Sequence, residues 1–251
     1  MVGLILAAGY ATRLYPITLT KSKCLLEVGG KPMIDYVIEK LLPLKEISKI
    51  YIVVNQKFYA DFENWLNTIK NIPCGKAIEL VNDGSTDDSN KLGAIGDIQY
   101  VIDHKNISDG MIIVAGDNLL TEPINELVRQ AQTKNTPILG IYELGSLKDV
   151  HKYSSVVVDA DGKLLEFTEK PTNPSSSRIG IALYYYPTHI LPMFKQYLDE
   201  KQNKDQPGRF IQWLYKKTPV YTYEIHGKWF DIGDTTVLSE VENYLLSKTQ
   251  A

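Results

Sequence analysis

The chain opens on Val2 to Ala8, a run without a polar residue, and passes at once into Gly9-Tyr10-Ala11-Thr12-Arg13. An apolar run of that kind suits a parallel strand covered on both faces. It ends in a small-residue turn followed by fixed cations. Backbone N–H groups in such a turn can surround phosphate oxygens, while Thr12, Arg13 and Lys23 supply a hydroxyl, a planar five-donor fork and a point charge. The opening therefore predicts a fold in which the end of a buried strand faces a nucleotide.

The remainder alternates in the way such a strand requires. Pro32 suits a first helical position, and Met33, Ile34, Val37, Ile38, Leu41 and Leu42 repeat along one helix face until Pro43. Ile50 to Val54 reads as a strand, Phe58 to Ile69 as an amphipathic helix and Ala77 to Val81 as a third strand. A polar turn from Asn82 to Asn90 precedes a helix from about Lys91 to Ile102. Met111 to Ala115 is apolar throughout, and a helix near Pro123 to Thr133 leads into a strand from Pro137 to Tyr142. This pattern predicts an α/β fold with a doubly wound, mostly parallel sheet.

After residue 142 the texture changes. Tyr153 to Val158, Leu164 to Thr168 and Ile179 to Tyr186 leave no room for crossover helices and predict a small antiparallel β lobe for the substrate. Helices at about His189 to Asp199 and Gln206 to Lys216, a strand from Val220 to Ile225 and a closing helix from Thr235 complete the chain. The expected organisation is one domain over 1–251: a nucleotide-binding part to about 142, a sugar-binding lobe and return to the core over about 143–234, and the C-terminal helix 235–251.

With 251 residues, 44% of them hydrophobic, the chain can bury roughly three quarters of its unfolded surface. No apolar run approaches the ~20 residues that cross a bilayer, and Val2 to Ala8 lacks the basic lead-in of a secretion signal, so a cytosolic protein without a membrane partner is expected. Cys24 and Cys74 are too few for a disulfide framework or a metal knuckle and are read as reduced thiols. A net charge of −3 without a long basic stretch argues against nucleic acid as a partner.

The opening loop lacks the glycine spacing of a dinucleotide fingerprint, which argues against a dehydrogenase, and the Gly-Lys-Thr/Ser ending of a P-loop. Three further segments carry chemistry. Val114-Ala115-Gly116-Asp117-Asn118 puts a carboxylate at the end of an apolar strand, where open α/β sheets bind ligands; taken alone, Asp117 equally suits a turn cap. Trp229-Phe230-Asp231-Ile232-Gly233-Asp234 reads alone as a strand end leading into the last helix. Phe167-Thr168-Glu169-Lys170-Pro171 reads alone as a solvated turn.

In order and spacing, these four segments resemble the sugar-1-phosphate nucleotidyltransferases, the family of glucose-1-phosphate thymidylyl-, uridylyl- and adenylyltransferases. The family pattern Gly-x-Gly-Thr-Arg-Leu-x-Pro-x-Thr is matched by Thr12-Arg13-Leu14-Tyr15-Pro16-Ile17-Thr18, followed by Lys23, with Ala11 standing where many members have Gly. The resemblance implies a nucleoside triphosphate and a sugar 1-phosphate as partners and Mg²⁺ as cofactor, held by Asp117 and Asp231. It implies Arg13 and Lys23 as catalytic residues. Leu6, Ala7, Ala8, Gly9, Tyr10, Ala11, Thr12, Asn82, Gly93 and Asp117 would bind the nucleotide, and Tyr153, Glu169, Lys170 and Ala182 the sugar phosphate. Family members also form dimers or tetramers, which leaves room for a homo-oligomer. Two alternatives stand beside this reading: a cytidylyltransferase for phosphocholine or another non-sugar phosphate, and a non-catalytic nucleotide-sugar sensor. The base stays open, because an Asn amide at 82 can serve uracil, thymine or cytosine by flipping.

Overall fold

In the computed structural model, which describes residues 1–69 and 75–249, the chain runs β1 (Val2–Leu6), a ribbon of β2 (Glu27–Val28) and β3 (Lys31–Pro32), α1 (Met33–Leu41), β4 (Lys49–Val54), α2 (Tyr59–Thr68) and β5 (Ala77–Asn82). It continues through α3 (Ala94–His104), β6 (Met111–Ala115), β7 (Asn118–Leu120), α4 (Asn125–Lys134), β8 (Ile138–Glu143), β9 (Ser154–Val158), β10 (Leu164–Glu169) and β11 (Arg178–Tyr186). The last elements are α5 (Pro192–Asp199), α6 (Pro207–Leu214), β12 (Tyr221–Ile225), β13 (Trp229–Asp231) and α7 (Thr235–Thr249). Cys24 is a buried free thiol. Cys74 and the last two residues of the expected closing helix lie outside the described residues.

Seven strands form the central sheet in the order β12-β8-β11-β6-β1-β4-β5, all parallel except β11. The doubly wound, mostly parallel sheet is the one the alternation predicts. From β1 the chain steps outward to β4 and β5, then crosses back to place β6 on the other side of β1. That reversal opens a crevice at the carboxyl ends of β1 and β6, where open α/β sheets receive ligands.

Alternating strand residues face two apolar layers. On one face Ile5, Ile52 and Ile112 pack with Ile34 and Val37 of α1, Phe62 of α2 and Leu127 of α4. On the other, Leu4, Val53 and Ile113 pack with Ile98 of α3, Phe194 of α5 and Phe210 of α6. Each such side chain contributes about 1.5–3 kcal/mol of burial. The helix faces follow from i, i+3, i+4 spacing of their apolar residues. No described helix is long and apolar enough to cross a membrane.

Two details differ from the sequence reading. Residues 179–186 do not extend the lobe: as part of β11 they insert between β6 and β8, antiparallel to both. Ile181 and Leu183 are buried on one face and Tyr184 and Tyr186 on the other, so the strand is too apolar on both sides for a ribbon with a solvated face. The lobe itself is the β9–β10 hairpin. The helix expected from Lys91 starts at Ala94, because Gly93 takes φ +81 and its Cα faces the Lys204 carbonyl; a Cβ there would lie 2.8 Å from that oxygen.

Candidate active site

Beyond β1, the loop from Ala7 to Arg13 is pinned by its carbonyls and flanks. Ala7 N–H donates to the Val53 carbonyl and Gly116 N–H to that of Leu6, each at 2.9 Å. Buried Asn55 donates its amide to the Ala8 carbonyl at 2.9 Å and accepts from Phe58 N–H, which ties the loop to the start of α2. Ala11 is left-handed (φ 48), a conformation costing a non-glycine residue about 1–2 kcal/mol. Its carbonyl accepts from Leu14 N–H and from the buried Thr18 hydroxyl at 2.8 Å, which holds it there. Among the described residues, the N–H groups of Gly9, Tyr10 and Ala11 donate to no protein acceptor. They remain for an anion.

Asp117 and Asp231 come together through a three-residue ribbon. β7 and β13 pair antiparallel with Asn118 opposite Asp231, so the residue just before β7 lies beside the end of β13. Asn118 is the joint: its amide donates to Asp117 Oδ1 at 2.9 Å, and its carbonyl oxygen accepts from Trp229 Nε1 at 2.7 Å. The Trp229 ring lies against Tyr142 and Tyr153. Lys23 Nζ reaches Asp117 Oδ2 at 2.5 Å, with the two side chains 12% and 25% exposed.

The two carboxyls are held at different levels. Burial pushes Asp117 up, but the adjacent ammonium of Lys23 more than offsets it and leaves this carboxyl below its usual range. Asp231 is pushed up to about 6 by burial and by the charge of Asp117, against the opposing pull of Lys23 and Arg13. A like-charge pair in a poorly solvated cleft is relieved by a cation. Among the described residues no group of three or more His, Cys, Asp or Glu side chains is arranged to hold a metal ion by itself. Two carboxylates with room for phosphate and water oxygens form the donor set that Mg²⁺ accepts, since it keeps several waters and uses one or two carboxylates.

Arg13, Lys23, Asp117 and Asp231 line a single cavity of about 520 Å³. Leu6 through Thr12, Gly93, Tyr153, Glu169, Lys170 and Ala182 line it as well. Asn82 does not: it sits at the end of β5, where its amide donates to Gln56 Oε1 and its carbonyl oxygen accepts from Gly84 N–H.

On the lobe side, Glu169 ends β10 and Lys170 follows in a left-handed conformation, its N–H donating to the Tyr153 carbonyl at 2.7 Å. Burial raises the Glu169 carboxyl to about 7, against the lowering effect of Lys170 and Arg209. Two residues of α6 that the sequence reading left unremarked fix its place. Gln212 Oε1 accepts from Glu169 N–H at 2.8 Å, and the carboxylate lies so close to Gly208 that a Cβ there would meet Oε2 at 1.9 Å. Pro207-Gly208 at a helix start was the available signal, yet only the tertiary contact gives the glycine a purpose. Gly208→Ala is expected to displace the Glu169 carboxylate and weaken capture of the lobe-side ligand by about tenfold, with the ligand on the β1 side unaffected. Separate KM measurements for the two reactants check this.

Comparison with known proteins bears on the whole chain. The family model described as nucleotidyl transferase matches residues 2–248. The bifunctional protein GlmU of Methanocaldococcus jannaschii is 25% identical over 99% of this chain and 55% of its own length. A mannose-1-phosphate guanyltransferase of Kluyveromyces lactis is 27% identical over 93% of this chain and 61% of its own. The chain thus spans little more than half the length of these curated relatives. A solved UDP-glucose pyrophosphorylase complexed with UDP-glucose shares the fold, with a TM-score of 0.81 at 23% identity over 99% of this chain and 100% of that one.

Proposed function

Because this chain belongs to the nucleotidyl transferase family, we propose that it transfers a nucleotidyl group from a nucleoside triphosphate to a sugar 1-phosphate. An oxygen of the sugar phosphate attacks the α-phosphorus in line, the bond from α-phosphorus to the bridging oxygen breaks, and pyrophosphate leaves with that electron pair. The observation that carries this reading is the joint lining of one cavity by Arg13, Lys23, Asp117, Asp231, Glu169 and Lys170.

The chemistry needs alignment of two polyanions and stabilisation of charge on phosphoryl oxygens, with no covalent enzyme intermediate. Arg13 grips the leaving β- and γ-phosphates, and the N–H groups of Gly9, Tyr10 and Ala11 donate to phosphate oxygens beside the Thr12 hydroxyl. Lys23 is shared between Asp117 and the α-phosphate. Gly93 brings backbone close to the nucleoside. Lys170 restrains the attacking phosphate, Glu169 accepts from sugar hydroxyls, and Tyr153 and Ala182 wall the sugar. Asp117 and Asp231 hold Mg²⁺, which supplies Lewis-acid neutralisation of the phosphoryl oxygens. The 1–251 stretch acts as one unit in this scheme, in the cytosol. Asn82, outside the cavity, has no part in it.

The test is pyrophosphate release from five nucleoside triphosphates against a panel of hexose 1-phosphates and phosphocholine, with and without Mg²⁺. A sugar 1-phosphate as the productive acceptor, with Mg²⁺ required, supports the reading. Turnover with phosphocholine alone makes the chain a cytidylyltransferase of the non-sugar type, and binding without turnover makes it a sensor.

Glu169 gives the reading a pH signature. Folded, it keeps its proton up to about 7, whereas near 4.5 is usual for this group in an unfolded chain. Between those values the folded state binds the extra proton, so stability falls as pH rises through the window. Glu169→Gln is expected to raise stability at pH 8 by roughly 1–3 kcal/mol, while raising KM for the sugar phosphate and removing the limb of kcat/KM that rises toward pH 7. Melting curves and a pH–rate profile of both forms check it.

A further inference from the structure

Asp97 is a carboxyl group with no role in the scheme above. It lies in the first turn of α3, is 6% exposed, and lines the cavity beside Gly93 and Ala94. Its Oδ1 is enclosed and, among the described residues, receives no hydrogen bond. Burial holds its proton well above the usual carboxylate range, and the facing carboxylate of Asp83 adds to this; Lys204 pulls the other way and Asp205 reinforces it. Asp83 is itself anchored, accepting from Ser85 N–H at 2.7 Å and from the Ser85 hydroxyl, which in turn accepts from Tyr10. The proton that Asp97 keeps, turned toward Asp83, accounts for the enclosed oxygen, and leaves the other oxygen of Asp97 as an acceptor on the cavity side.

The surroundings decide what kind of ligand group that oxygen meets. Asp88 and Asp205 line the same end of the cavity and share the single ammonium of Lys91, at 3.0 and 3.6 Å. Lys204 Nζ is given to the Lys91 carbonyl. The charges that bear most on Asp97 are those of Asp83, Lys204 and Asp205. Phosphate is repelled from such an end, and so is a keto oxygen, whereas an N–H donor is attracted.

Resting on the reading of the cavity as a nucleoside triphosphate site, we propose that Asp97 selects the base, accepting from an exocyclic amino group and so favouring cytosine, adenine or guanine over uracil and thymine. A pyrimidine with two keto groups turns an acceptor toward this end on either side of its N3–H. An exocyclic amino group stands out from the ring and brings its N–H to the oxygen ahead of the ring nitrogens beside it.

Initial rates with CTP, ATP, GTP, UTP and dTTP, together with calorimetric binding of the same five in Mg²⁺, test it. The best amino-bearing nucleotide is expected to exceed both keto pyrimidines by ~10-fold or more in kcat/KM or in affinity. Asp97→Asn is expected to erase most of that preference while the KM of the sugar phosphate stays within about twofold. A preference for UTP or dTTP, or an unchanged ranking in Asp97→Asn, overturns the proposal, and the wild-type ranking decides even where the variant does not fold. Binding in the expected order without turnover supports the role of Asp97 and removes the transferase reading; binding of none of the five overturns both.

Discussion

Lys23→Ala is expected to lower the rate of pyrophosphate release by about 10³-fold or more, because in the proposed reaction its charge meets the reacting phosphates in a cleft poor in water. The same substitution has a second consequence that separates its two roles. Lys23 is the partner of Asp117 at 2.5 Å and opposes the rise of Asp231, so without it the two carboxylates face each other with only the pull of Arg13 on Asp231 to relieve them. The cost is of order 1–3 kcal/mol, below the ~3–5 of a fully enclosed pair, since Asp117 keeps a quarter of its side chain exposed. Added Mg²⁺ is expected to take over that neutralisation and restore the melting temperature, yet to leave turnover low because the ammonium is still missing. Melting curves with and without Mg²⁺ beside steady-state rates check both parts. Wild-type rates in the variant would remove Lys23 from the chemistry.

Trp229→Ala carries the second large effect. Its indole N–H satisfies the carbonyl oxygen of buried Asn118, and its ring packs against Tyr142 and Tyr153. Truncation leaves a cavity and an unpaired amide oxygen, together worth about 3–5 kcal/mol. Because Asn118 also donates to Asp117 and pairs with Asp231, both carboxylates lose their support, and a turnover loss of ~10²-fold is expected from misplacement alone. Trp229→Phe keeps most of the ring and forfeits only the donor, so its stability loss should be nearer 1–2 kcal/mol. Denaturant unfolding of the two variants gives the ranking. Equal stability in all three proteins would mean that the ribbon is held by something else.

The parts of the fold legible in the sequence are those written in local periodicity. Val2 to Ala8 announces a doubly covered strand and Ile34 to Leu41 a one-faced helix, and the alternation of such segments implies the parallel sheet found here. The switch point follows, and with it the convergence of Arg13, Lys23 and Asp117 from the ends of neighbouring elements. The place of β11 was not legible: an apolar strand carries no mark of the partners it will pair with, and three tyrosines in succession suit a lobe as well as a core. Nor was the β7–β13 ribbon, whose three-residue strands are shorter than any pattern that periodicity can register. Asn82 illustrates the limit at the site. Its position after a strand suggests a reader of the base, yet its amide is engaged with Gln56 and Gly84, while Asp97, a helix residue with no motif around it, faces the cavity instead. Gly208 matters only through its contact with Glu169, from another element.

In the proposed reaction, segments far apart in the chain clamp two anionic reactants around one divalent ion. Anomalous diffraction from crystals of the chain grown with Mn²⁺, a non-hydrolysable nucleoside triphosphate and a sugar 1-phosphate tests it most directly. A single Mn²⁺ peak is expected between the carboxylates of Asp117 and Asp231, with the triphosphate against Arg13 and the sugar phosphate against Lys170. A metal peak or a triphosphate elsewhere, with those four side chains untouched, would contradict it.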